Sequence, residues 1–199
     1  MDKRWQKLGP ADTVTTAWSG GTTTQLRIAP AGAQYAARDF LWRVSSASVE
    51  LAESDFTPLP DYERLIATLR GEILLSHNGG APLRLKPYEV HAFSGGDRTL
   101  CRGTCTDFNL MLRRGQAEGT MEALRLRAGE ARTLAHEGED EALLYCAEGR
   151  CAVRVDTETV ALAPGESLLL RGPADPALTA ESDAALMLCR MRRLLPKSP

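Results

Sequence analysis

The sequence predicts an all-β chain built from two fused antiparallel barrels. The first observation behind this is a weak internal repeat at a period of about 78 residues: Leu65-Ile66-Ala67-Thr68-Leu69-Arg70-Gly71 recurs as Leu143-Leu144-Tyr145-Cys146-Ala147-Glu148-Gly149. An alternating strand follows in each copy, with Ile73 and Leu75 in the first and Cys151, Val153 and Val155 in the second. Each copy then reaches a Pro-x-Glu turn, at Pro87 and Glu89 and again at Pro164 and Glu166, and a one-residue gap in the Asn78-Gly79-Gly80 loop keeps the copies aligned. The second observation is that apolar residues alternate with period 2 through these segments, which is the pattern of half-buried strands. The third is the absence of long helical periodicity, so few and short helices are expected.

Each element follows in order. Thr13–Thr16, Thr22–Ile28 and Leu41–Leu51 are rich in β-branched and aromatic residues and read as strands that complete the first barrel. Pro58, Pro60 and Asp61 make the turn before the first repeat, and Asp107–Leu112 closes that half. Arg114-Gly115-Gln116-Ala117-Glu118-Gly119 is the linker, which places the two barrels at 1–115 and 116–199, the second being smaller and ending in the strand Ala184–Met191.

The chain has 199 residues, 43% of them hydrophobic and 25% charged, enough to bury one large core or two small ones. A net charge of -2 with scattered basic residues argues against a nucleic-acid partner. The start Met1-Asp2-Lys3-Arg4-Trp5 has no apolar leader, and the longest apolar run, Ala184–Cys189, is too short to span a bilayer, so a cytoplasmic protein without membrane partners is expected. The five cysteines lack paired C-x-x-C spacing and read as reduced thiols, although Cys146 and Cys151 are placed to approach each other across the turn at Gly149.

Chemistry has few places to sit. Metal-binding barrels of this kind use histidines at i and i+2, and this chain has no His-x-His. Glu89-x-His91 puts two possible ligands on one strand face, but a hydrogen-bonded or solvent-facing pair is the plainer reading, so no metal and no cofactor are expected. No Ser/His/Asp or Cys/His order stands out among three histidines. Gly20-Gly21-Thr22-Thr23-Thr24-Gln25 lacks the lysine of a phosphate loop and reads as a glycine turn entering a strand. Two strands stand apart. Asp107 and Asn109 face away from Phe108 and Leu110, and Arg43 and Ser45 face away from Trp42 and Val44. Polar groups that point into a barrel must be satisfied by neighbours or by a ligand, so an inward Arg near an inward Asp is either a structural ion pair or an anion-binding group.

Taken together, these residues resemble the HutD/Ves family of bicupins, two jelly-roll (RmlC-like) cupin barrels in one chain, associated with histidine utilisation. The resemblance rests on Trp18 with Gly20-Gly21-Thr22-Thr23-Thr24-Gln25-Leu26, on Phe40-x-Trp42-Arg43-x-Ser45-x-Ala47-x-Val49, and on Asp55-Phe56-Thr57-x-Leu59-Pro60 with Arg64 and Leu69-x-Gly71. It continues through Pro87, Phe93-x-Gly95-x-Asp97 and Asp107-Phe108-Asn109-Leu110-Met111-x-Arg113, covering most of residues 18–114, while the second half matches as a generic barrel repeat. Two departures bear on a site: an Asn is missing from a shortened loop after Trp18, and the family's Glu is Gln25 here. The resemblance implies a pocket in the N-terminal barrel lined by Thr23, Gln25, Arg43, Ser45, Arg64, Asp107 and Asn109.

The leading expectation is a metal-free binding protein for a small carboxylate, with Arg43 or Arg64 pairing the anion and Asp107, Asn109, Gln25 and Thr23 orienting it. The resemblance points to urocanate or a formylated intermediate and to limiting or sensing histidine breakdown rather than catalysing a step. Two rivals stand beside it: a metal-independent isomerase or hydrolase with Asp107 as general base, and an interaction scaffold whose barrel is plugged by its own side chains. A homodimer is the default assembly.

Overall fold

The structure is a computed structural model that describes residues 3–195. In chain order the elements are β1 (Trp5–Leu8), a 3-10 turn (Pro10–Asp12), β2 (Val14–Trp18), β3 (Gly21–Ala29), β4 (Trp42–Val49), β5 (Glu53–Asp55) and β6 (Tyr62–Arg70). There follow β7 (Ile73–His77), β8 (Leu83–Leu85), β9 (His91–Ser94), β10 (Thr99–Arg102), β11 (Cys105–Arg113) and β12 (Ala117–Leu126). The remainder is β13 (Ala131–Thr133), β14 (Glu141–Glu148), β15 (Cys151–Val155), β16 (Glu158–Leu162), β17 (Ser167–Arg171), β18 (Ala177–Ala180) and β19 (Ala184–Arg193). The all-β expectation holds, with one 3-10 turn among the described residues and no helix long and apolar enough to cross a membrane.

The chain divides into two compact units, Thr13–Glu118 and Gly119–Arg193, the latter joined by the N-terminal segment up to Asp12. The first unit has a four-stranded sheet, β5-β10-β7-β8, and a six-stranded sheet, β2-β3-β4-β11-β6-β9. The second has β13-β18-β15-β16 and β1-β17-β14-β19-β12. The pairings resolved within them are antiparallel.

The N-terminal segment departs from the expected 1–115 boundary. Trp5–Leu8 pairs antiparallel with Ser167–Leu170 at the edge of the second unit's larger sheet, where Leu8 is buried and Lys7 meets Glu166 at 2.8 Å. A four-residue strand is too short to declare its partner through alternation, so the sequence carried no signal for this exchange.

The repeat is realised turn by turn. Gly71 and Gly149 both adopt positive φ, 75° and 76°, where a Cβ would lie 2.5 Å from Thr104 O and 2.1 Å from Asp183 O, so each position requires glycine. Asn78 and Asp156 occupy matching left-handed positions with φ of 54° and 53°. In both Pro-x-Glu turns the glutamate accepts from the backbone N–H three residues earlier, Glu89 from Lys86 at 3.1 Å and Glu166 from Ala163 at 2.8 Å. The residue between proline and glutamate donates its N–H to the preceding long strand, Tyr88 to Thr68 O and Gly165 to Cys146 O.

Candidate functional site

Three neighbouring strands of the first unit build the site. The register sets Arg43 beside Met111 and Met111 beside Arg64; one step along, Ser45 faces Asn109 and Asn109 faces Ile66; the next row is Ala47, Asp107 and Thr68. Because strand side chains alternate, all three rows share one face of β4, β11 and β6. Phe108 and Leu110, on the other face, are fully buried, so β11 is apolar on one side and carries its polar residues on the side that meets the interior between the sheets.

That interior holds a cavity of about 280 Å³. Thr23, Arg43, Ser45, Arg64, Asp107 and Asn109 line it, six of the seven residues expected from the sequence. Gln25 does not form part of the lining; its Oε1 accepts from Arg43 Nε at 2.9 Å and holds that guanidinium in place. Lining residues not anticipated include Trp18, Tyr35, Asp55, Phe56 and Met111. Trp18, Asp55 and Phe56 belong to motifs that the sequence displays, but Tyr35 sits in the loop before β4, where no strand pattern marks the direction of a side chain.

Both arginines are buried and neither forms an ion pair within 4 Å among the described residues. Arg43 donates from Nη1 to Ser45 Oγ at 3.1 Å, and its guanidinium lies 4.4 Å from the centre of the Tyr35 ring. Arg64 donates from Nη2 to Asn109 Oδ1 at 3.0 Å and lies 5.1 Å from the Phe56 ring and 5.0 Å from the Phe93 ring. Its Nε is buried with no hydrogen-bond partner, as is Trp18 Nε1 on the cavity wall. Burial pulls the Arg43 pKa down to about 10, opposed by the nearby Tyr35 and assisted by Arg64; burial lowers Arg64 as well.

Asp107 Oδ1 accepts from Ala47 N–H at 3.1 Å and from Asn109 Nδ2 at 2.8 Å. Burial pushes this carboxyl up to about 6, against the pull of Arg64 and of the two hydrogen bonds. Of the two possibilities left open by an inward Arg and an inward Asp, the direct ion pair is not made. The arrangement sets two buried arginines, neither of them ion-paired, against the weakly acidic Asp107 carboxyl, with Asp55 as a second carboxyl on the lining.

The glycine pair after Trp18 serves this wall. A Cβ on Gly20 would fall 2.1 Å from the Trp18 ring, and one on Gly21 would fall 2.0 Å from Ser48 O, so both glycines let the indole and β3 close in, as a turn rather than a phosphate loop. Glu89 and His91 do not converge: Glu89 closes its own turn, and His91 Nε2 lies 2.9 Å from His77 Nε2. No group of three or more His, Cys, Asp or Glu among the described residues is arranged to hold a metal.

Among solved structures, a conserved protein of unknown function from Pseudomonas aeruginosa superimposes with a TM-score of 0.82 at 22% identity, over 96% of this chain and 100% of that one. HutD from Pseudomonas fluorescens gives 0.75 at 22% identity, with the same coverage. A bacterial pirin from Escherichia coli, in complex with nickel(II), gives 0.69 at 10% identity over 96% of this chain and 100% of that one. At these identities the likeness is one of fold, and that fold is of the cupin type. No curated protein matches the sequence. The HutD family model matches residues 10–188, and on that match the chain belongs to the HutD family.

Proposed function

We propose that this protein binds a small organic carboxylate in the cavity of its first unit and, as a HutD-family member, reports on or limits histidine breakdown rather than catalysing one of its steps. The observation that carries this reading is the pair of buried arginines around the cavity, with no carboxylate within 4 Å of either and with Arg64 Nε unpartnered. Leaving a buried donor unpaired costs about 1–3 kcal/mol, and more for a charged group, so the site is stabilised by an anion that completes it. A carboxylate suits a guanidinium because its two oxygens match the spacing of two N–H groups. Urocanate and N-formylated amino acids are the ligand classes that the family points to, and the solved structure of HutD from Pseudomonas fluorescens is itself described as a formate condition.

The two units are, in this reading, the two barrels of a bicupin. The matched glycines, the matched left-handed residues and the two Pro-x-Glu turns support it. The scaffold alternative requires an interior plugged by its own side chains, and the cavity in the first unit favours the binding reading over it.

The test is thermal unfolding of the parent, Arg43→Ala and Arg64→Ala in the presence of formate, urocanate and N-formylglutamate. A ligand at about a hundred times its Kd stabilises by roughly 2.7 kcal/mol, a rise in midpoint of about 5–10 °C for a chain of this size. The parent is expected to shift and the two variants to lose the shift. Folded variants that shift as the parent does would falsify the assignment.

A further inference from the structure

Resting on that carboxylate reading, we infer that Asp107 is the proton-linked member of the cavity: the carboxylate binds against a neutral, protonated Asp107, and complex formation takes up one proton at that side chain.

Hydrogen-bond geometry fixes the direction of each link. Arg64 has only donors, so the Asn109 atom it meets at 3.0 Å is the carbonyl oxygen, and the other end of that amide donates to Asp107 Oδ1. Asp107 Oδ1 also takes the Ala47 N–H, which leaves Oδ2 with no hydrogen bond from the described residues on the wall of the cavity. A charged Asp107 would place that free oxygen against an incoming carboxylate. Protonated, Oδ2 becomes a donor, and an O–H to carboxylate bond is among the short, strong ones.

The charges around the group favour the neutral form once an anion arrives. Arg64 on β6 and Arg43 on β4 face Asp107, while the Cys101 thiol on β10 and the Cys105 thiol on β11 are held neutral by burial. Asp55 adds a further carboxylate to the cavity lining. The two arginines oppose the rise in Asp107 that burial causes. A bound anion engages those arginines and adds its own negative charge, and both changes push Asp107 further towards the protonated state.

Calorimetric titration with formate and with N-formylglutamate tests this, because neither titrates between about pH 5.5 and 8. Two cationic buffers of unlike ionisation enthalpy report the protons exchanged. The parent should take up close to one proton near pH 7, and its affinity should fall about tenfold per pH unit above pH 6. In Asp107→Asn both the uptake and the slope should vanish. Carboxyl carbon NMR of the parent reads the same event without any variant: the Asp107 signal should move to its protonated position on adding formate at pH 7. Binding with no proton uptake, a flat pH profile in the parent, or an unchanged Asp107 signal in a saturated complex overturns the inference and leaves the carboxylate reading standing. Absence of binding at every pH removes that reading and this inference with it.

Discussion

The two units run the same sequence pattern over matching strands and fill their interiors differently. In the second, Ala142, Leu144 and Cys146 on β14 meet Leu186 and Leu188 on β19 and Val153, Val160 and Leu178 beyond them, one contiguous apolar cluster. In the first, the matching long strands β6 and β11 carry Arg64, Asp107 and Asn109, with Arg43 and Ser45 from β4, and a cavity of about 280 Å³ opens among them. The difference teaches that the repeat specifies turns and strand pairing, while inward positions on three strands decide whether a unit is a solid core or a site. A core unit gains stability from every inward residue; the site unit gives some of it up to keep two unpaired cations indoors.

The comparison breaks hardest in the core. Leu144 is fully buried in the second unit's cluster, so Leu144→Ala should destabilise by about 2–5 kcal/mol in denaturant unfolding. In the cavity the expected sign is opposite: Arg64→Met removes a buried, incompletely paired cation and should be neutral or stabilising by about 1–4 kcal/mol, while abolishing carboxylate binding. A loss of stability as large as that of Leu144→Ala would show that Arg64 is a structural member.

Asp107 supplies a pH signature. Its folded-state pKa, raised to about 6 from 3.8, means that the native state holds the proton longer than the unfolded chain. The stabilisation is therefore fully present below about pH 4 and lost as pH rises through about 6, a total of roughly 3 kcal/mol. The difference in unfolding free energy between the parent and Asp107→Asn, followed from pH 4 to pH 7, should trace that loss. A flat difference contradicts it.

The smallest expected effect sharpens the charge argument. Gln25 holds Arg43 as a neutral partner. Gln25→Glu would keep that hydrogen bond and add a negative charge, so carboxylate affinity should fall by about tenfold, or about 1.4 kcal/mol, with little change in stability. Calorimetry with N-formylglutamate measures it; an unchanged affinity would show that charge beside Arg43 does not bear on the ligand.

Much of this was legible in the sequence, for identifiable reasons. Alternation on β4 and β11 placed Arg43, Ser45, Asp107 and Asn109 on one face each, because period 2 is a rule of the strand itself. The glycines at 71 and 149 marked turns that only glycine accommodates. What was not legible depends on partners distant in sequence. The pairing of Trp5–Leu8 with β17 is set by an open sheet edge more than 150 residues away along the chain, as the register of Trp5 with Leu170 shows. The absence of an Arg–Asp ion pair follows from where guanidinium groups are drawn by Gln25, Ser45 and Asn109, a matter of Å-scale geometry. Tyr35 reaches the cavity from a loop with no periodicity to read.

The most direct test of the account is an NMR titration that follows arginine Nε–H signals and backbone amides together as formate is added to the intact protein. The account predicts saturable shifts at Arg64 Nε–H, the group left without a partner, and at Arg43, with the amides of Leu144, Leu186 and Leu188 unmoved. Shifts confined to exposed arginines, or movement centred on the second unit's core, would contradict it.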